Sequence, residues 1–128
     1  MTLKAGKLNK HLARAEALLA KHALSFPHVT EDRPWGHRAF KINKKAFLFL
    51  ATDGGELSLS TKLPQSADAA LLLPFAEPTG YGLGKSGWVS FNPPEHAIPD
   101  LAQLKGWVEE SYRAQAPRKL VKQLDERG

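Results

Sequence analysis

Gly84-Lys85-Ser86 carries the closing residues of a phosphate-binding loop, whose Gly-x-x-x-x-Gly-Lys-Ser/Thr run presents backbone N–H groups and a lysine to phosphates. The first glycine of that pattern falls on Thr79, and Trp88-Val89 reads as a strand where a helix is required, so nucleotide hydrolysis is not expected. A serine-hydrolase elbow, Gly-x-Ser-x-Gly, fails at Trp88. The histidines at 11, 22, 28, 37 and 96 lack the short spacings of a zinc site, and no cysteine completes one. Glu31-Asp32, Glu95 and Glu109-Glu110 are adjacent or turn-borne, with no forced pairing for acid–base work. The residues therefore predict no enzyme, no metal and no cofactor.

A second constellation has a different chemistry. Residues 33–45 hold Arg33, Arg38, Lys41, Lys44 and Lys45 without one acid, interleaved with Trp35, His37 and Phe40. Cations neutralise phosphates and flat rings stack on exposed bases, so this mixture suits a nucleic-acid surface. The competing reading is structural, because Trp35 and Phe40 are also ordinary core residues. On the first helix Lys7, Lys10, Arg14 and Lys21 fall on one ridge opposite a leucine stripe, either a phosphate-tracking ridge or a solvated face. Alternation along the strands places Lys41, Lys62, Trp88 and Ser90 on the sheet face away from the core, where they would form a platform unless the C-terminal segment covers them.

Composition sets the frame for these side chains. A chain of 128 residues is the size of one domain, and 42% hydrophobic residues with 9% aromatics suffices for one core. The net charge of +5 is uneven: residues 1–64 hold 11 Lys and Arg against 5 Asp and Glu, whereas residues 65–128 hold 7 against 8. The asymmetry favours an acidic partner. Without cysteines, a signal-peptide core or a long apolar span, a soluble cytoplasmic protein is expected.

The elements that must position these groups follow from periodicity. Leu8, Leu12, Ala15, Leu19 and Ala23 share a face of a first helix over Lys7–Phe26, ended by Pro27. Strands are expected over His37–Ile42, Ala46–Ala51 and Glu56–Ser60, joined by turns at Asn43-Lys44 and Asp53-Gly54-Gly55. Ser66 should cap a short helix, Ala67–Leu73, and Pro78–Gly87 reads as a loop or irregular edge. A strand over Gly87–Phe91 precedes a long helix on which Leu101, Leu104, Val108 and Tyr112 share a face, and after Pro117 a short helix covers Arg118–Asp125. This order predicts one α+β domain over 1–128, an antiparallel sheet with helices packed on one face.

Glu31-Asp32-Arg33-Pro34-Trp35-Gly36-His37, Phe40-Lys41-Ile42 and Lys45-Ala46-Phe47 resemble the MmcQ/YjbR family. Leu57 to Pro64, Tyr81 to Val89 and Trp107 to Arg113 continue the resemblance, which runs from about Phe26 to Leu120. The family commonly places a lysine nearer the strand leucines than Lys62 stands here. The resemblance implies a CyaY-like two-layer α/β sandwich and DNA binding through a double wing, here the hairpins turning at Asn43-Lys44 and Asp53-Gly54. Iron, which the likeness to frataxin would suggest, is disfavoured by the basic first helix, because hard cations need carboxylate oxygens. The combined expectation is a non-enzymatic domain that binds DNA or another nucleic acid through Arg33, Trp35, His37, Arg38, Lys41, Lys44, Lys45, Lys62, Lys85 and Trp88. The alternative is a protein-interaction or small-ligand domain with a groove between 34–37 and 80–88.

Overall fold

The structure is a computed structural model that describes residues 2–33, 37–53, 56–80, 82–94, 98 and 100–127, with side chains from Leu12 onward, Asp53 excepted. Helix α1 (Thr2–Leu24) leads into strands β1 (Thr30–Asp32), β2 (Arg38–Ile42), β3 (Lys45–Asp53) and β4 (Glu56–Lys62). Helix α2 (Ala67–Leu71), strand β5 (Ala76–Pro78), a 3-10 turn (Leu83–Ser86) and strand β6 (Trp88–Phe91) follow, then helices α3 (Leu101–Gln115) and α4 (Arg118–Glu126). The strands form one antiparallel sheet in the order β1-β2-β3-β4-β6-β5. Helices α1 and α3 pack on β3 and β4, which makes an α+β two-layer sandwich of the expected class. Among the described residues no helix is long and apolar enough to cross a membrane.

The core lies between sheet and helices because both contribute apolar stripes. Leu12, Ala15, Leu19 and Ala23 of α1 are buried as the helical period predicts, and Leu57 and Leu59 of β4 are buried while Ser58 and Ser60 are not. Leu8, Lys7 and Lys10 lie outside the described side chains. From α3, Leu104, Trp107, Val108 and Tyr112 enter the core, and Trp107 meets Phe91 edge-on at 5.6 Å between ring centroids. Leu101, expected on that face, is only half-buried.

Two strands escape the period. β1 is three polar-rich residues, too short to alternate, and it is held to β2 by ion pairing as much as by its ladder. β5 contains Pro78, which reads as a breaker but is tolerated on a sheet edge. Ser66 precedes α2 but does not cap it as expected. Its hydroxyl instead donates to Glu110 of α3 at 2.6 Å, and the Gln65 and Ser66 N–H groups donate to the same carboxylate. A carboxylate from another helix thus joins Asp68 of the first turn at the entry to α2.

Near the β2–β3 turn the sheet contains an irregularity. The β2–β3 register shifts between Phe40 and Lys41, and both Phe47 and Leu48 on the facing strand are buried. Where the β3–β4 ladder reaches Phe47, the fully buried Ser111 hydroxyl stands between the strands. It accepts from the Lys62 N–H at 2.8 Å and donates to the Phe47 carbonyl at 2.5 Å. Ser111→Ala should leave both backbone groups buried and unpaired, at a cost of about 1–3 kcal/mol by denaturant unfolding. Gly106 is exposed on α3, and a Cβ added there would meet nothing within 4 Å. Gly106→Ala should therefore raise stability by about 0.5–1 kcal/mol in the same measurement.

Candidate nucleic-acid interface

The β2–β3 hairpin turns at Asn43 and Lys44 with φ of 50° and 68°, the left-handed pair that a two-residue type I′ turn requires. Lys44 and Lys45 are exposed there. Because β3 and β4 are antiparallel with Leu48 opposite Thr61, Lys62 lies at this same end of the sheet. Lys62 pairs with Trp88 at the start of β6, and exposed Lys85 stands three residues earlier on the 3-10 turn. One sheet end therefore gathers Lys44, Lys45, Lys62 and Lys85. Among the described residues none of the four has a carboxylate within 4.0 Å.

The remaining expected site residues are distributed differently. Lys41 is partly exposed and tied to Asp32 at 3.3 Å. Arg33 is exposed beside Glu31 at 3.4 Å, and His37 is exposed beyond the far end of β2. Trp35 lies outside the described residues, as do Pro34, Gly36 and the Gly54-Gly55 turn. Arg38 is not an interface cation: its guanidinium is 16% exposed, takes both Glu31 oxygens at 2.6 and 3.0 Å, and reaches Glu16 of α1 at 3.2 Å. Trp88 does face outward with Lys62, but it is 5% exposed and packed on Phe49 at 5.7 Å, so it is no stacking platform. Phe40 is wholly buried, in agreement with its core reading.

The two hairpins share β3, so their turns stand at opposite ends of a nine-residue strand, roughly 27 Å apart at the usual rise. Among the described residues only the first carries cations; Glu56 and Asp53 are strand partners at the second. Of the expected groove between 34–37 and 80–88, residues 34–36 and 81 lie outside the described residues. His37 and Trp88 border β2 and β6, which are three strand positions apart, roughly 14 Å sideways, and start at opposite sheet ends. The glycine loop is close-packed at Gly84, where a Cβ would meet that of Pro78 at 2.7 Å, and open at Gly80 and Gly82.

A sequence profile of the YjbR family matches residues 24–114. The chain belongs to the YjbR family. No curated protein sequence matches it. In this YjbR domain the profile covers all six strands and most of α3, hence the whole basic sheet end, whereas most of α1 lies before it.

Residue spacing gives no sign of the Glu16–Arg38–Glu31 network, because its members are 22 and 7 residues apart and meet only after α1 docks on the sheet. Thr52 adds a hydroxyl donor to Glu16 at 3.1 Å. Hydrogen bonds from Arg38 hold the Glu31 carboxyl below its ordinary 4.5, outweighing the opposing effect of burial, and Glu31 reciprocally raises Arg38. On α1, burial pushes His22 below 6.5, with Lys105 adding repulsion against a smaller attraction to Glu109; its buried Nε2 has no hydrogen-bond partner.

These shifts fix the pH response. Both groups bind a proton less readily folded than unfolded, so each favours the fold at higher pH. Stability should decline below about pH 6.5 as the unfolded chain protonates the residue at 22, and again below about 4.5 until Glu31 titrates in the folded state. His22→Leu should flatten the first decline and Glu31→Gln its share of the second, in urea midpoints measured from pH 3 to 8. Arg38→Met should cost about 1–3 kcal/mol at pH 7, since it leaves Glu16 with only the Thr52 hydroxyl and Glu31 with only the exposed Arg33.

Proposed function

We propose that this YjbR domain binds nucleic acid, DNA first, without catalysing a reaction, and that it does so through phosphate contacts from Lys44, Lys45, Lys62 and Lys85. The observation that carries this reading is the gathering of these four lysines from three separate segments at one sheet end. Lys85 and Lys62 border β6 and β4, and the hairpin adds two cations that project past the sheet. The outer face beside them carries the Trp88–Phe49 pair and, next to it, Ser60, Ser90 and Thr79 hydroxyls bonded in a chain at 2.8 and 2.9 Å. Stacking by Trp88 and Phe40 has no part in this reading, because both rings are buried. Phosphate contact alone gives weak sequence preference and strong salt dependence, near 0.9 log unit of affinity per log unit of salt for each duplex phosphate neutralised.

Lys44 adds a second support. Glycine is the relaxed residue at the second position of a type I′ turn, yet a lysine is held there at φ 68°. Strain of this kind, about 1 kcal/mol, is retained where the side chain is needed.

The test is a salt titration with labelled duplex and single-stranded oligonucleotides. Lys44→Ala/Lys45→Ala should keep the melting temperature within a few degrees while affinity falls and the salt slope becomes shallower. Lys44→Gly separates strain from function: it should gain up to about 1 kcal/mol in stability and still lose affinity. No binding by the wild-type chain at low salt would sink the proposal.

A further inference from the structure

The sheet edge farthest from the β2–β3 hairpin carries an apolar knob. Leu72, just after α2, is 86% exposed, and Phe75, just before β5, is 47% exposed. Both sit where the chain could have turned a smaller or polar residue outward. Phe75 is moreover held at φ 68°, an uncommon conformation for a bulky side chain, by a backbone that joins its carbonyl to the Asn92 N–H at 2.9 Å. Acids flank the knob: Asp68 is one helical turn before Leu72 on the exposed side of α2, and Glu77 is exposed on β5 two residues after Phe75.

Elsewhere the same chain carries the complementary shape and charge. Ala17, Ala20, Lys21, Leu24, Ser25 and Arg38 line an open depression of about 480 Å³ whose surface is mainly apolar. Its floor is alanine, and Leu24 is left 44% exposed at its rim. Its exposed charges are cations, because Arg14 and Lys21 stand on one helical face with Ala17 and Leu24, and Arg38 together with Arg33 offsets the two nearby glutamates.

We propose that the Leu72–Phe75 knob of one copy docks in the α1 depression of a second copy. The charges select this arrangement. A twofold pairing of knob with knob would set Asp68 and Glu77 against their own equivalents, whereas knob into depression sets them against Arg14 and Lys21. The contact joins two different surfaces, so each copy keeps one unused half and assembly continues head to tail beyond a dimer. Neither half includes Lys44, Lys45, Lys62 or Lys85, so the contact is independent of nucleic-acid binding.

Sedimentation velocity on the full chain without nucleic acid, at low salt and over a hundredfold range of concentration, reads this directly. The wild type should pass from monomer to dimer and larger species. Leu72→Arg and Ala17→Glu, both at exposed positions, should each weaken association at least tenfold while retaining the wild-type circular dichroism. Mixing the two variants should restore one species, a 1:1 dimer that grows no further, because only the intact knob of one and the intact depression of the other remain. Lys21→Glu should weaken association and Lys21→Glu with Asp68→Lys should recover it, which keeps the test open if an apolar substitution disturbs folding. A wild type that is monomeric throughout, variants that associate unchanged, or a mixture that stays monomeric would each overturn the proposal.

Discussion

A single hydroxyl closes the last rung between the two middle strands of this sheet. At the β2–β3 irregularity the chain places Phe47 and Leu48 in the core together, and the two-residue repeat of β3 is broken at the point where β4 ends beside it. Ser111 fills the gap by donating to one strand and accepting from the other. Its neighbours on α3 make related contacts. Glu110 receives the amides before α2, Tyr112 donates to the Pro27 carbonyl at 2.8 Å, and Gln115 donates to the Ala46 carbonyl at 3.0 Å. An apolar helix face alone would pack against the sheet without fixing where it sits. These polar contacts set the position of α3 along the strands, and buried backbone groups that would otherwise be unpaired enforce it.

The antiparallel order then divides the surface. Because β3 is shared by two hairpins, the end with Lys44 and Lys45 is separated from the end with Glu56 by the full length of a strand. Lys62 and Lys85 join the first end because β4 finishes and β6 starts there. The charge asymmetry between the halves of the sequence is thus partly converted into an asymmetry between the two ends of one sheet. The Arg38 network consumes the other cation of β2 in holding α1 and β1 to that strand.

How much of this is legible in the sequence depends on the range of the interaction. The period of α1, the alternation of Leu57 and Leu59, and the Asn43-Lys44 turn depend on residues a few positions apart, and the fold keeps all three. β1 and β5 depend on partners supplied by other segments, and their own residues are polar or include proline. The same distinction holds at the site. Lys44 and Lys45 are exposed by the turn that their neighbours dictate. Arg38 is equivalent to its neighbours in a run of cations and aromatics, but Glu31 and Glu16 claim it only in the folded chain. Alternation puts Trp88 on the correct face, yet its ring packs on Phe49, two strands away across β4, and is buried. The family resemblance carries the architecture and leaves the fate of each side chain to packing.

The clamp made by α3 also bears on the order in which the molecule can be completed. The Ser111 hydroxyl meets a carbonyl 64 residues earlier, and Tyr112 meets one 85 residues earlier. During synthesis, β2, β3 and β4 therefore leave the ribosome long before the group that joins their central seam. At about 5–20 residues per second, the hairpins wait several seconds with that seam open. Water can serve the exposed Phe47 carbonyl and Lys62 amide in that interval, but the apolar face beside them has only α1, and not yet α3, to cover it. The nascent chain thus spends its most adhesive moments before residue 111 arrives, and the late helix acts as the lock on a sheet whose strands were made first.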